Sequence, residues 1–320
     1  MKLTFVPTLI RLAAAFVAVL LLTSQNVHAA RKAKLPKGTY IVVNGAKLWF
    51  ISEGSGDPLV IISGGPGVAH YLYPYFSKLG KNHRVIYLDS YGCGKSERAA
   101  SPGLYTFQRH VDEIEGLRKA LGYAKIDVFG HSYGGVVAQA VAIKYPSSVK
   151  RLILANTTYC AEMDQASLDH CNLLLKNHFP KVWNDLTSLR QRGVSPLSKE
   201  WGEVVGRIPD SFYYNADFSN NTQLLKEMTP EMWYTMYGQD ADFTVGGEFK
   251  NFDFRPELQK LTMPVLIVAG RMDRIALPVW AEKYTDIIPH SRLVMFEKSG
   301  HNVFQEENAQ MIDVIREFLK

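Results

Sequence analysis

Five residues, Gly130-His131-Ser132-Tyr133-Gly134, constrain this chain more than any others. They read G-x-S-x-G where an apolar run, Ile126-Asp127-Val128-Phe129, gives way to the small-residue segment Val136-Val137-Ala138-Gln139-Ala140. A strand that turns this tightly into a helix needs residues without a Cβ at the flanks, and it lifts the serine hydroxyl into the open. The pattern predicts a strand-to-helix elbow carrying Ser132 as a nucleophile. A bare G-x-S-x-G is common by chance, so the strand before it and the helix after it carry the weight.

The rest of the chain sets this elbow in a rhythm. Asn44-Gly45 separates two short strands at residues 39–43 and 47–52, a strong hairpin signal. Residues 59–63 and 84–89 read as buried strands. Residues 106–121 read as a helix, with Val111, Ile114, Leu117 and Leu121 on one face. A strand at 125–129, a helix at 133–145 and a strand at 149–156 follow. Between Thr158 and Leu261 the rhythm breaks into a segment rich in Trp, Tyr, Phe and carboxylates. It then resumes with strands at 264–269 and 292–296 and helices at 278–288 and 308–319. The alternation argues for an α/β fold, a mostly parallel, doubly wound sheet with helices on both faces. The core is expected over residues 38–157 plus 262–320, interrupted by a mainly helical cap at 158–261.

The first thirty residues are of another kind. Lys2 and Arg11 precede an unbroken apolar run from Leu12 to Leu22, and Val27-His28-Ala29 forms a small-x-small cleavage pattern. This is the pattern of a secretory signal peptide at residues 1–29, with the mature chain starting near Ala30. The apolar run is about half the ~20 residues that span a bilayer, so no stable membrane insertion is expected after cleavage. A secreted or periplasmic product is expected. The formal charge of +5 falls by two, to +3, once Lys2 and Arg11 are removed. That balance points away from nucleic acid. About 290 mature residues fit one large domain with an insertion, or two small ones. The three cysteines are Cys93, Cys160 and Cys171, an odd number that leaves at least one thiol unpaired. Cys160 and Cys171 are close enough in sequence to bridge. Two buried free thiols fit the spacing equally well.

A serine hydroxyl needs a general base, and the base needs an orienting carboxylate. In an open parallel sheet such groups collect at the carboxyl ends of strands. After the strand at 264–269 comes Gly270-Arg271-Met272-Asp273, and after that at 292–296 comes Ser299-Gly300-His301. Asp273 is the expected acid and His301 the expected base, in the chain order Ser, Asp, His that accompanies this elbow. Alone, Asp273 would read as a turn residue and His301 as a loop histidine. Their joint placement at two strand ends is what selects them. His70, His83 and His110 have no such position, and His131 lies within the elbow itself. The oxyanion requires backbone donors: Tyr133 N–H, next to the serine, and Gly65 from the loop Ser63-Gly64-Gly65-Pro66-Gly67, with Gly64 close behind. Gly94-Lys95-Ser96 mimics the end of a phosphate-binding loop, but that motif needs glycine where the chain has Asp89. The segment 89–96 is read as a tight strand-end turn bordering the pocket. No metal or cofactor is called for.

With the elbow, the order of the triad and the cap, the chain resembles the α/β-hydrolases. Within them it resembles the prolyl iminopeptidase group, including tricorn-associated aminopeptidases and amino-acid amidases. Gly64-Gly65-Pro66-Gly67 is similar to that group's HGGPG loop. Asp89-Ser90-Tyr91-Gly92-Cys93-Gly94-Lys95-Ser96 is similar to its DQRGCGRS-type turn. In the cap, the run from Gly238 to Gly247 and Lys250-Asn251-Phe252-Asp253 resemble its G-P-N-E-F-T-x-T-G-T…K-D-W-D segment. The resemblance spans nearly the whole mature chain and implies an α/β-hydrolase fold with a helical cap. It also implies that cap carboxylates hold a substrate's free α-amino group, with Asp242 at the matching position and Asp210, before Ser211-Phe212-Tyr213-Tyr214, as a second candidate. A carboxylate pair facing an ammonium group would favour substrates with an unblocked N-terminus. The chain departs from the group at Ser63, Tyr91 and Asp242, where the group has His, Arg and Glu. These departures bear on proline preference and leave the serine chemistry intact.

The expected function is an exported serine aminopeptidase, or amino-acid amidase, acting on a small peptide, amide or ester as a monomer. A carboxylesterase or lactonase is the enzymatic alternative. A non-catalytic binding module would require a broken triad. Haloalkane dehalogenases and epoxide hydrolases use an aspartate where this chain has Ser132.

Overall fold

The computed structural model describes residues 38–209, 212 and 227–320. The signal peptide expected at 1–29 and Asp210 lie outside the described residues. The chain opens on a hairpin of β1 (Thr39–Val43) and β2 (Ala46–Glu53). Its turn residues Asn44 and Gly45 have φ of 51° and 79°. Two consecutive left-handed residues match the right-handed twist of the flanking strands, which is why Asn-Gly serves here.

Six strands follow: β3 (Asp57–Ile62), β4 (His83–Asp89), β5 (Ile126–His131), β6 (Val149–Ala155), β7 (Val265–Gly270) and β8 (Ser291–Phe296). Their order in the sheet is β1-β2-β4-β3-β5-β6-β7-β8. β2 pairs antiparallel with β1 and with β4, and every other pairing is parallel. From β3 the chain moves outward to β4, then returns to place β5 on the other side of β3. That reversal makes a switch point, and in open α/β sheets the crevice beyond the strand ends opens at such a point. The loop after β3 and the elbow after β5 flank it.

The inner strands are buried on both faces, so they read as continuous apolar runs: Leu59-Val60-Ile61-Ile62 in β3 and Val265-Leu266-Ile267-Val268 in β7. The helix Phe107–Ala120 is capped by Thr106, whose Oγ1 accepts from Arg109 N–H at 3.3 Å. It buries Val111, Ile114 and Leu117. The elbow helix Tyr133–Lys144 is apolar nearly all round and buried accordingly. Between β5 and β6, Arg151 donates from Nε and Nη2 to the two oxygens of Asp127 at 2.9 and 3.1 Å, a buried bidentate pair.

The helices Ala161–His178, Pro180–Gln191, Lys199–Val205 and Pro230–Tyr237 stand between β6 and β7. The helix Pro230–Tyr237 packs into the main core through Met232 and Met236, and the other three enclose a second apolar cluster that includes Cys171, Leu175, Leu186, Trp201 and Val205. Ile275, from the loop after β7, joins this cluster and locks it to the sheet domain. All three cysteines are free and buried. Cys160 caps the helix that contains Cys171, and eleven helical residues at ~1.5 Å each hold the two ~16 Å apart, out of bridging range.

Candidate active site

Ser132 stands between the last residue of β5 and the first of the elbow helix, at φ 55° and ψ −127°. Such a conformation is costly for a residue with a Cβ and persists only when its surroundings enforce it. Ser132 N–H donates to Ala155 C=O at 3.0 Å, and Thr157 Oγ1 donates to Ser132 C=O at 2.7 Å. A Cβ on Gly130 would run into the carbonyl of Gly134, and one on Gly134 into the carbonyls of Ile62 and Ser63. Both glycines are therefore required for the turn to close.

His301 lies beyond β8 and Asp273 beyond β7, both buried at 1% and 3% exposure. His301 Nδ1 is 2.9 Å from Asp273 Oδ2. A carboxylate only accepts, so Nδ1 carries the proton and Nε2 is left to take one. Asp273 is held by three further donors. Ile275 N–H and Ala276 N–H reach Oδ1 at 2.7 and 2.9 Å, and Asn156 Nδ2 reaches Oδ2 at 2.8 Å. Asn156 also donates to Gly300 C=O at 3.2 Å, which ties Asp273 to the loop of His301. Glu306 fixes the same loop from outside, accepting from Gly300 N–H at 2.6 Å and Asn302 N–H at 3.3 Å. Asn156, in the left-handed region at φ 48°, was not expected from the sequence, and only its place at the end of β6 hints at it.

Ser132, His301, Gly65 and Tyr133 all border one cavity. The two glycine candidates for the oxyanion loop separate here. Gly64 N–H donates to Tyr71 Oη at 2.8 Å and is spent. No acceptor among the described residues takes Gly65 N–H or Tyr133 N–H, and the latter is an orphan donor of a helix start. Tyr71 in turn lies 2.6 Å from His131 Nδ1, and His131 Nε2 donates to His301 C=O at 2.8 Å. A carbonyl only accepts, so Nε2 holds the His131 proton and Tyr71 donates to Nδ1. Burial, with His301 beside it, holds His131 well below the ordinary imidazole range and keeps it neutral. The loop of Gly64, the elbow and the loop of His301 are thus joined by one chain of hydrogen bonds through Tyr71 and His131.

The cavity is small, about 50 Å³. Val136, Ala241, Val245 and Ile275 give it apolar walls, and Trp233 and Tyr237 add aromatic ones. Those two rings stack at 4.2 Å. Thr158, Asp164 and Ser167 border it as well. Asp164 was not singled out by any sequence pattern. Thr158 Oγ1 donates to its Oδ1 at 2.6 Å, and burial pushes its carboxyl up to about 7. Asp242 does not border this cavity. It lines a neighbouring one with Trp201 and Val205, and the side chain of Leu168 forms a wall of both. Tyr234 Oη donates to Asp242 Oδ2 at 3.0 Å, and burial pushes that carboxyl up to about 7. The second cap candidate, Asp210, falls outside the described residues.

The model of the alpha/beta hydrolase fold matches residues 57–192 and 235–308. The chain belongs to the α/β-hydrolase family. This hydrolase is 31% identical over 283 residues to a protein of Heyndrickxia coagulans named proline iminopeptidase, covering 84% of the chain and 93% of that protein. The solved proline iminopeptidase of Mycobacterium smegmatis matches with a TM-score of 0.69 at 22% identity, over 88% of this chain and 97% of that one. An esterase from Exiguobacterium antarcticum matches with a TM-score of 0.64 at 22% identity, over 88% and 99%. The two structures speak for the fold. The family and the sequence relatives make this a serine hydrolase.

Proposed function

We propose that this hydrolase is an exported aminopeptidase of the proline iminopeptidase type, releasing a small N-terminal residue through an acyl-enzyme. The observation that carries the reading is that Ser132 and His301 open on one small cavity with apolar and aromatic walls and a carboxylate. Likeness to relatives named proline iminopeptidase supports it. In this mechanism Ser132 Oγ attacks the scissile carbonyl and His301 Nε2 takes its proton. Asp273, held by four donors, keeps the imidazole in the tautomer that can do so. Gly65 N–H and Tyr133 N–H receive the oxyanion. His301 then protonates the leaving amine, and water, activated by the same base, frees the acid. A carboxylesterase or lactonase is the second reading, supported by the largely apolar lining of the cavity.

The test is a panel of prolyl, alanyl and other aminoacyl naphthylamides, each with a free and an N-acetylated amine. Turnover of the free-amine members, lost on acetylation and lost in Ser132→Ala, is expected. Equal rates on blocked and free substrates would favour the esterase reading. Labelling of Ser132 by a fluorophosphonate establishes an active nucleophile in either case. For export, the N-terminus of the protein produced in its own cell is expected near Ala30, and an intact Met1 on the finished protein would refute it.

A further inference from the structure

Among the described residues that border the Ser132 cavity, Asn156 Oδ1 is a buried polar atom without a hydrogen-bond partner, and so are Asp164 Oδ2 and Ser167 Oγ. Asp164 and Ser167 stand three apart on the helix Ala161–His178, and therefore on one face of it. Buried polar atoms are nearly always hydrogen-bonded, and a carboxylate oxygen left without a donor is a costly exception. Oδ1 of the same carboxylate is already satisfied by Thr158, so the group is oriented and one oxygen is left over. Tyr237, whose hydroxyl lies beside that carboxylate, and Trp233 present stacked rings to the same cavity. An oriented carboxylate, a free hydroxyl and aromatic faces in one enclosure suit a compact cation that carries several N–H donors.

We infer that Asp164, with Ser167, binds the protonated α-amine of the substrate's acyl residue, in place of the Asp242 that the cap resemblance suggests. The inference rests on the aminopeptidase reading and names the residues that would enforce it. An ammonium group supplies three donors. One meets Asp164 Oδ2, one meets Ser167 Oγ, and the remaining face of the cation rests against the rings. The cation also favours the ionised carboxylate that burial alone disfavours. An acetylated amine brings neither the charge nor the donors, and leaves both protein atoms unpaired. Asp242 lines the adjoining cavity, which shares Leu168 with this one, and does not border the cavity of Ser132.

The experiment measures kcat/KM for alanyl 4-nitrophenyl ester and for 4-nitrophenyl propionate, its neutral counterpart, and takes the ratio. In Asp164→Asn the ratio is expected to fall about 30-fold, the size of a charge-assisted hydrogen bond of ~2 kcal/mol. Ser167→Ala, which keeps the carboxylate and perturbs the fold less, is expected to lower the ratio about fivefold. Fluorophosphonate labelling of Ser132 in each variant reports a folded site. A ratio that stays at the wild-type value in both variants, or that falls in Asp242→Asn instead, overturns the assignment while leaving the aminopeptidase reading intact. A wild-type protein that is labelled but shows no preference for the free amine overturns both.

Discussion

Replacing Tyr71 by Phe removes one oxygen atom and should loosen the whole active site. The hydroxyl is buried, accepts from Gly64 N–H and donates to His131 Nδ1. Its loss leaves a backbone donor and an imidazole acceptor without partners. Each buried group left unmet costs roughly 1–3 kcal/mol, and neighbouring losses are not fully additive, so a total of about 3 kcal/mol is expected. In a chain of this size, with an unfolding entropy of about 2.1 cal/mol/K per residue, that lowers Tm by about 5 °C. The catalytic consequence is separate. Gly64 precedes Gly65, the proposed oxyanion donor, and His131 holds the carbonyl of His301. Freed of their tether, both loops lose registry with Ser132, and misplacement on that scale costs about 10–100-fold in rate. The loss should fall on kcat and leave KM nearly unchanged, because Tyr71 does not border the substrate cavity. Thermal unfolding and steady-state kinetics on a free-amine ester read the two effects. A Tm within about 1 °C of wild type, together with kcat within about twofold, would refute the reasoning, since 3 kcal/mol cannot hide in so small a shift.

Two further predictions concern stability. Asp127→Ala leaves Arg151 buried without its partner and should destabilise the chain by about 3–5 kcal/mol in urea unfolding, whereas Asp127→Leu with Arg151→Met should recover most of that. A single-variant loss under about 1 kcal/mol would show that water reaches the guanidinium. Asp164 titrates above its unfolded value, so the stability it contributes is complete below about pH 4 and is lost as pH rises through about 7. The Tm of Asp164→Asn minus that of wild type should therefore increase from pH 5 to pH 8. Taking the difference cancels the opposing titration of the buried His110 and His131, whose pKa values are lowered by burial. A flat or falling difference would mean that solvent keeps this carboxylate ionised throughout.

Much of the architecture was legible because strand and turn signals are local. The strand expected at 39–43 is Thr39–Val43, and the helix expected at 133–145 is Tyr133–Lys144. Ser132, Asp273 and His301 could be picked out because each follows a readable strand. Asn156, Tyr71, His131 and Asp164 could not, since their meaning lies in partners far along the chain. Tyr71 meets His131 across 60 residues and Asn156 meets Asp273 across 117. No periodicity records such meetings.

The sequence by itself determined the doubly wound α/β sheet, the elbow and the strand ends at which Ser132, Asp273 and His301 emerge, because apolar period and glycine sterics act over a few residues. Only the tertiary structure decided that Gly64 is spent on Tyr71 while Gly65 stays open, and that Cys160 and Cys171 stand too far apart on one helix to bridge. It also decided that Asp164, and not Asp242, borders the serine's cavity. Those outcomes depend on how the helices between β6 and β7 rotate and pack against strand ends, and that is set by the fit of buried side chains among elements far apart in the chain.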